Sequence, residues 1–151
     1  MEQFQKLLDE LARITGLDAI PLEEDGGCAI KLDSIVLNMQ YMEETEQCYF
    51  ICRLFPIPAN ETDKAALFES LLCANCFYRE TQGGIIGIDK DMNIVTYATK
   101  FSIDNLTGTG FADFVEAFVN AAEDLIEKFS AAAPEKQPEI TPEDYNNYLR
   151  V

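Results

Sequence analysis

Residues 48–55, with the sequence CYFICRLF, are apolar on both faces of an extended chain. Their aromatic and aliphatic content favours a β-strand, because such side chains pack well on a pleated surface. A strand with two apolar faces is covered on both sides, as it is in the middle of a sheet. We therefore predict that this segment is a central strand or is covered by another chain.

Four further segments have the length and apolar content of strands. Residues 28–32 and 35–41 precede the central segment, and residues 85–88 and 94–101 follow it. The polar stretches within each pair of neighbours predict hairpin connections. Alternation in the second strand predicts one buried face, which is made by Ile35, Leu37, Met39 and Tyr41.

Apolar residues at helical spacing predict a first helix over residues 4–14, which Gly16 ends. A second stripe predicts a long helix over residues 111–129, about 28 Å in length and able to cover a small sheet. We expect these helices to pack on one antiparallel sheet.

A middle helix is predicted between the two groups of strands, with Thr62 or Asp63 as its N-cap and Cys76 near its end. Its apolar side chains cover more than one helical face, which favours burial on two sides, for instance against the sheet and a second subunit. The whole pattern predicts an α+β domain of order α-β-β-β-α-β-β-α, with helices packed on a twisted antiparallel sheet.

The composition changes near residue 130, and we predict two parts. Residues 1–130 contain every predicted strand and the three main helices, and form one domain. Residues 131–151 include three prolines among polar side chains, which is typical of a flexible tail. Within this tail, Thr141 and Pro142 have the chemistry of a helix start, and they predict a short helix over residues 142–149.

Charge and composition exclude several functions. The 151 residues include 27 acidic and 11 basic side chains, giving a formal net charge of −16, and no histidine. A phosphate backbone or an anionic membrane surface would repel this chain, so we expect neither as a partner. Catalysis through imidazole is excluded. The five cysteines, with no recognisable signal peptide or apolar run of 18 residues, predict reduced thiols in a cytoplasm.

The cysteines leave open one chemical alternative, a small metal or redox protein. Cys73 and Cys76 form a CxxC pair, and Cys48 and Cys52 could join them in a zinc site. The CxxC pair lies near the end of a helix, however, where the helix dipole disfavours a thiolate. Other acidic and glycine-rich segments lack the residues that a calcium loop or a phosphate loop requires. We therefore predict no enzyme activity, no metal and no cofactor.

Several local patterns, taken in order, resemble the small acidic chaperones of bacterial type III secretion, the effector-binding Tir-chaperone-like family. They are residues 14–17 (ITGL), 24–28 (EDGGC), 71–75 (LLCAN) and 83–89 (GGIIGID). The resemblance extends from about Phe4 to Phe129 and leaves out the tail. It implies a cytoplasmic bacterial protein that binds the extended N-terminal segment of effector proteins and keeps them soluble and competent for secretion.

The resemblance also implies partners and residues. It implies a homodimer joined through the middle helix and the strand after the Gly-Gly hairpin, with the secretion ATPase as a further partner. The implied dimer interface is Leu67, Phe68, Leu71, Leu72, Val95, Tyr97 and Ala98. The implied cargo-binding residues are Phe4, Leu8, Leu11, Ile35, Leu37, Met39, Phe50 and Cys52. A non-catalytic regulator or adaptor of the same fold remains the open alternative.

Overall fold

A computed structural model describes residues 1–130, which form three α-helices, a short 3-10 turn and five strands. The predicted tail over residues 131–151, with its short helix at 142–149, lies outside the described residues. In chain order the elements are α1 (Glu2–Thr15), β1 (Gly27–Leu32), β2 (Ile35–Met42), β3 (Gln47–Pro56), α2 (Glu61–Asn75), the 3-10 turn (Cys76–Tyr78), β4 (Ile85–Asp89), β5 (Ile94–Ser102) and α3 (Gly108–Phe129).

The five strands form one antiparallel sheet in the order β1-β2-β3-β5-β4. The predicted order of elements and the central place of the 48–55 segment, which belongs to β3, are confirmed. Phe50 shows why β3 is central: its ring lies 4.9 Å from the Phe101 ring and 5.4 Å from the Phe118 ring, measured between centroids. These edge-to-face contacts join β3, β5 and α3 in one aromatic cluster.

Helices α1 and α3 contact each other, and α3 lies against β2 and β3. The buried stripe of α1 is Phe4, Leu7, Leu8, Leu11 and Ala12. Gly16 ends α1 as predicted, in the left-handed conformation at φ 70°, where glycine avoids the strain of a side chain. The core of the single chain therefore lies between these two helices and one face of the sheet.

Two helix starts differ from the prediction, and in both cases the capping residue explains the difference. Asn60, rather than Thr62 or Asp63, caps α2, because its side-chain oxygen accepts from the backbone N–H groups of the other two. Helix α3 begins at Gly108, three residues early, because Thr107 caps it by accepting from Gly110 N–H. The sequence did not predict this first turn, because Gly108 and Gly110 are poor helix formers.

Only one side of α2 is buried within the single chain, along Leu67, Leu71 and Ala74. Leu72, on another side, is 70% exposed. The second side that the sequence suggested is therefore not buried within the described chain, and its burial against another chain stays a prediction. Among residues 1–130, no helix combines the length and apolar character that crossing a bilayer requires.

Candidate functional site

All eight residues expected to bind cargo lie in the core. Each has a side chain that is at most 1% exposed, and together they join α1 to the sheet: Phe4, Leu8, Leu11, Ile35, Leu37, Met39, Phe50 and Cys52. In this conformation they offer almost no surface to a ligand, so direct contact with cargo stays a prediction for all eight, including Leu11, which borders an apolar groove. A ligand on the surface would contact their partly exposed neighbours.

The seven residues expected at a dimer interface divide by exposure. Four are buried in the single chain: Leu67, Leu71, Val95 and Tyr97. Phe68 and Ala98 are half-buried, and Leu72 is exposed. The buried tyrosine has a structural role, because its hydroxyl donates to Thr81 O at 2.7 Å. Their place at a dimer interface stays a prediction.

An apolar groove of about 360 Å³ opens between the end of α1, the β1–β2 turn and the first half of α3. We call it the α1–α3 groove. Its apolar lining includes Leu11, Leu32 and Val115 at the floor, with Ile14, 45% exposed, at the mouth. A groove of this size lies within the usual range for ligand pockets, and it can accept apolar side chains from a bound segment.

The free edge of β1 leads directly into this groove. Tyr41 N–H donates to Gly26 O, so Gly26 and Tyr41 form a hydrogen-bonded pair. Along two antiparallel strands, hydrogen-bonded and non-hydrogen-bonded pairs alternate. The N–H and C=O groups of Ala29 and Lys31, which belong to non-hydrogen-bonded pairs, therefore point away from β2. Both residues are exposed, and no hydrogen bond from outside the sheet reaches their backbone within the described chain. Leu32, the last residue of β1, lines the groove. An added strand could therefore pair here and continue into the groove.

The opposite edge of the sheet, at β4, is partly occupied by one side chain. Asn75, the last residue of α2, donates from Nδ2 to Ile86 O at 3.0 Å and accepts from Ile86 N–H at 2.8 Å. Next to it, Gly84 N–H donates to Thr81 O at 2.8 Å. Asn75 occupies the outward N–H and C=O of Ile86, whereas those of Ile88 have no hydrogen bond among the described residues, so β4 offers a new strand fewer free groups than β1 does.

A second exposed apolar region surrounds the end of α2 and β4. We call it the α2–β4 surface, and its exposed members are Leu72, Phe77, Tyr78 and Ile85. Phe77 is 91% exposed and, like Tyr78, it has a positive φ, 54° and 53° respectively. Left-handed backbone at a bulky residue is strained, and such strain often accompanies functional surfaces.

The structure separates the two pairs of cysteines that a zinc site would need. Cys48 and Cys52 are buried in the core, whereas Cys73 and Cys76 are exposed at the end of α2. Burial raises the pKa of Cys52 to about 12, against a weaker opposing effect of a backbone hydrogen bond from Tyr97, so this thiol stays protonated. Within residues 1–130, no group of three or more ligating side chains could hold a metal ion.

Sequence reasoning missed two features of this surface. Asn75 belongs to the LLCAN pattern, and a polar amide at the last position of an apolar helix is the signal that could have indicated a backbone contact. The groove was missed because its lining comes from three distant segments. Asp113 and Glu116, one helical turn apart on α3, are the local signal at its mouth.

The chain is similar to known proteins over most of its length. The model of the Tir chaperone protein (CesT) family matches residues 6–126. A protein of Chlamydia pneumoniae is 28% identical over 120 residues, which cover 79% of this chain and 90% of that protein. A Tir chaperone of Citrobacter freundii is 26% identical over 125 residues, covering 79% and 74% respectively.

A solved structure shows the same fold. It is the Yersinia pestis type III secretion chaperone SycH in complex with a stable fragment of YscM2. The TM-score is 0.61 at 22% identity, with 81% of this chain and 98% of that chain covered. Because the family model spans most of the sequence and the fold agrees with it, this chain belongs to the Tir chaperone protein (CesT) family.

Proposed function

We propose that this chain is a type III secretion chaperone that binds the extended N-terminal segment of effector proteins in the bacterial cytoplasm, without catalysis. The observation that carries the proposal is the open edge of β1, which is continuous with the α1–α3 groove. The relatives support it: one is named a Tir chaperone, and another is a secretion chaperone solved with a bound fragment.

The physical basis of binding is strand addition. Main-chain groups of Ala29 and Lys31 pair with a cargo strand of any sequence, and the groove beside them selects apolar side chains. The cargo segment loses conformational entropy when it becomes ordered, so the groove has to supply enough apolar burial to exceed that loss. The segment is held unfolded along its length, which keeps it available for export by the secretion ATPase, our expected further partner.

We further propose that the α2–β4 surface joins two copies in a homodimer. Leu72, Phe77 and Ile85 would then be buried between subunits, which explains why such large apolar side chains are exposed on a single chain. The partly exposed Phe68 and Ala98 would lie at its margin. Light scattering of the purified chain measures this state directly, and a monomer at high micromolar concentration would contradict the proposal.

A proline substitution tests the cargo site. Ala29→Pro removes one outward N–H, and an edge strand tolerates proline where its N–H faces solvent. The matched control is Ala29→Val, which keeps the N–H and favours a strand. We expect Ala29→Pro, but not Ala29→Val, to lose the effector that co-purifies from the native cell.

A pair of polar substitutions separates the two surfaces. Ile14→Asn removes an apolar side chain at the mouth of the groove without adding charge, and Leu72→Glu places a charge on the α2–β4 surface; both side chains are exposed, so both variants should fold. We expect the first to release effector from an intact dimer and the second to disrupt the dimer. If Ile14→Asn and Ala29→Pro both retain effector at the wild-type level, the proposed site is wrong.

A further inference from the structure

The mouth of the α1–α3 groove carries three carboxylates, which we call the acidic rim. Asp33 belongs to the β1–β2 turn, and Asp113 and Glu116 are one turn apart on α3. All three are exposed, and none forms an ion pair within the described chain. No lysine or arginine is among the described residues that line the groove.

The acidic rim borders an apolar floor, and these two properties together limit the kind of polypeptide segment that the groove can bind. The floor, which includes Leu32, Val115 and Val119, favours apolar side chains. Like charges held close together repel one another, and the net charge of −16 adds to the negative potential. A cation placed at the rim relieves this repulsion, while an acidic occupant increases it.

We propose that the groove binds a cationic amphipathic segment, with apolar side chains on the floor and an arginine or lysine at the acidic rim. This inference rests on the proposed chaperone function and specifies the chemistry of its cargo. Arginine suits the rim best, because its planar guanidinium can bind carboxylates through two hydrogen bonds. The open edge at Ala29 and Lys31 then pairs with the part of the segment outside the groove.

Two other occupants fit the rim less well. A second copy would bring another acidic rim against the first, since the groove and its surroundings carry the same charge in both copies. Residues 131–151 contain four acidic and two basic side chains, Glu135, Glu139, Glu143 and Asp144 against Lys136 and Arg150, a net charge of −2. Charge complementarity therefore favours a basic segment of a different protein.

The test uses the full chain and two synthetic peptides of 15 residues, labelled for fluorescence anisotropy. One peptide has leucines flanked by three arginines, and the other replaces each arginine with citrulline, which is neutral and of similar shape. We expect the arginine peptide to bind about tenfold more tightly, a ratio that falls towards one in 0.5 M salt, because the carboxylates are exposed. Equal affinity of the two peptides at low salt would overturn the proposal.

A matched pair of variants assigns the effect to the rim. Asp113→Asn with Glu116→Gln removes two charges at the groove, and Asp124→Asn with Glu127→Gln removes two at the same spacing on α3 outside the described lining. We expect the first pair to weaken the arginine peptide about tenfold and leave the citrulline peptide unchanged. The second pair should change either affinity less than twofold.

The outcomes separate this inference from the proposed function. If both pairs of variants weaken the arginine peptide equally, the overall charge attracts it and the rim has no specific role, which overturns the inference. If the rim pair has no effect while Ile14→Asn abolishes binding of both peptides, the groove binds apolar segments and only the inference fails. If Ile14→Asn and Ala29→Pro leave binding of both peptides and of effector intact, the proposed site itself fails.

Discussion

Replacing Asn75 should lower the free energy of unfolding, and the strength of its two hydrogen bonds to Ile86 sets the expected size of the loss. Asn75→Ala removes a 3.0 Å bond to the Ile86 carbonyl and a 2.8 Å bond from its N–H. A neutral hydrogen bond contributes about 0.5–1.5 kcal/mol net, so the expected loss is about 2 kcal/mol. At roughly 4 °C per kcal/mol for a domain of this size, the melting temperature should fall by about 8 °C.

Asn75→Asp gives the sharper form of the test, because aspartate changes only one of the two bonds. The carboxylate still accepts from Ile86 N–H, but its second oxygen faces the Ile86 carbonyl, and the two repel each other. This repulsion should raise the folded-state pKa above the usual value of about 3.9. At low pH the protonated carboxyl donates to the Ile86 carbonyl and restores the second hydrogen bond. Because the folded-state pKa is raised, this stabilisation is present at low pH and is lost as the pH rises through that pKa.

The assay is thermal unfolding followed by circular dichroism at pH 7 and pH 4, with the wild type measured at each pH. We expect the deficit of Asn75→Asp to shrink on acidification and that of Asn75→Ala to stay constant. Asn120→Ala, on an exposed position of α3 with no side-chain hydrogen bond in the described chain, is the control and should change stability by less than about 0.5 kcal/mol. A stable Asn75→Ala variant, or a pH-independent aspartate deficit, would refute the reasoning.

Three further predictions concern the core. Gly84→Ala should lower stability by about 1–3 kcal/mol in thermal unfolding, because a β-carbon there would overlap the ring of Tyr97; unchanged stability would show that the ring can move. Two thiols should react with Ellman's reagent in the folded chain, those of Cys73 and Cys76, and three only after unfolding; more than two fast thiols would contradict this burial. The free energy of unfolding should fall steeply above pH 9, by about 1.4 kcal/mol per pH unit for each buried thiol. The reason is that burial raises the folded-state pKa of Cys28, like that of Cys52, to about 12, whereas thiols in the unfolded chain ionise near 8.5. A melting temperature that stays constant to pH 10.5 would exclude this linkage.

The order of elements was predictable from the sequence because the apolar periods of strands and helices differ. Residues 35–41 alternate, residues 111–129 repeat at helical spacing, and the structure has β2 and α3 at these places. The boundaries were less predictable where a glycine or an unexpected cap changed them, as at Gly108 and Asn60. Local pattern therefore indicates the type of an element better than its first residue.

The candidate site was not predictable in the same way, because periodicity identifies apolar positions without showing what covers them. The resemblance implied Leu8 and Leu37 as cargo-binding residues; both are buried in the single chain, and their contact with cargo stays a prediction. The available surface comes from residues outside those stripes, such as Ile14 at the end of α1. It also comes from backbone groups at Ala29, which no side-chain pattern marks.

The two edges of the sheet explain how a chain can bind extended segments without pairing with copies of itself. Asn75 occupies the outward groups of Ile86 in β4, so only Ile88 still offers outward groups there and that edge has less capacity for a new strand than β1. The β1 edge stays open, but Asp33 lies directly beyond its end. Each copy carries a net charge of −16, so two copies that met edge to edge at β1 would repel each other. A basic segment meets attraction at the same place, so charge selects which strand the open edge accepts.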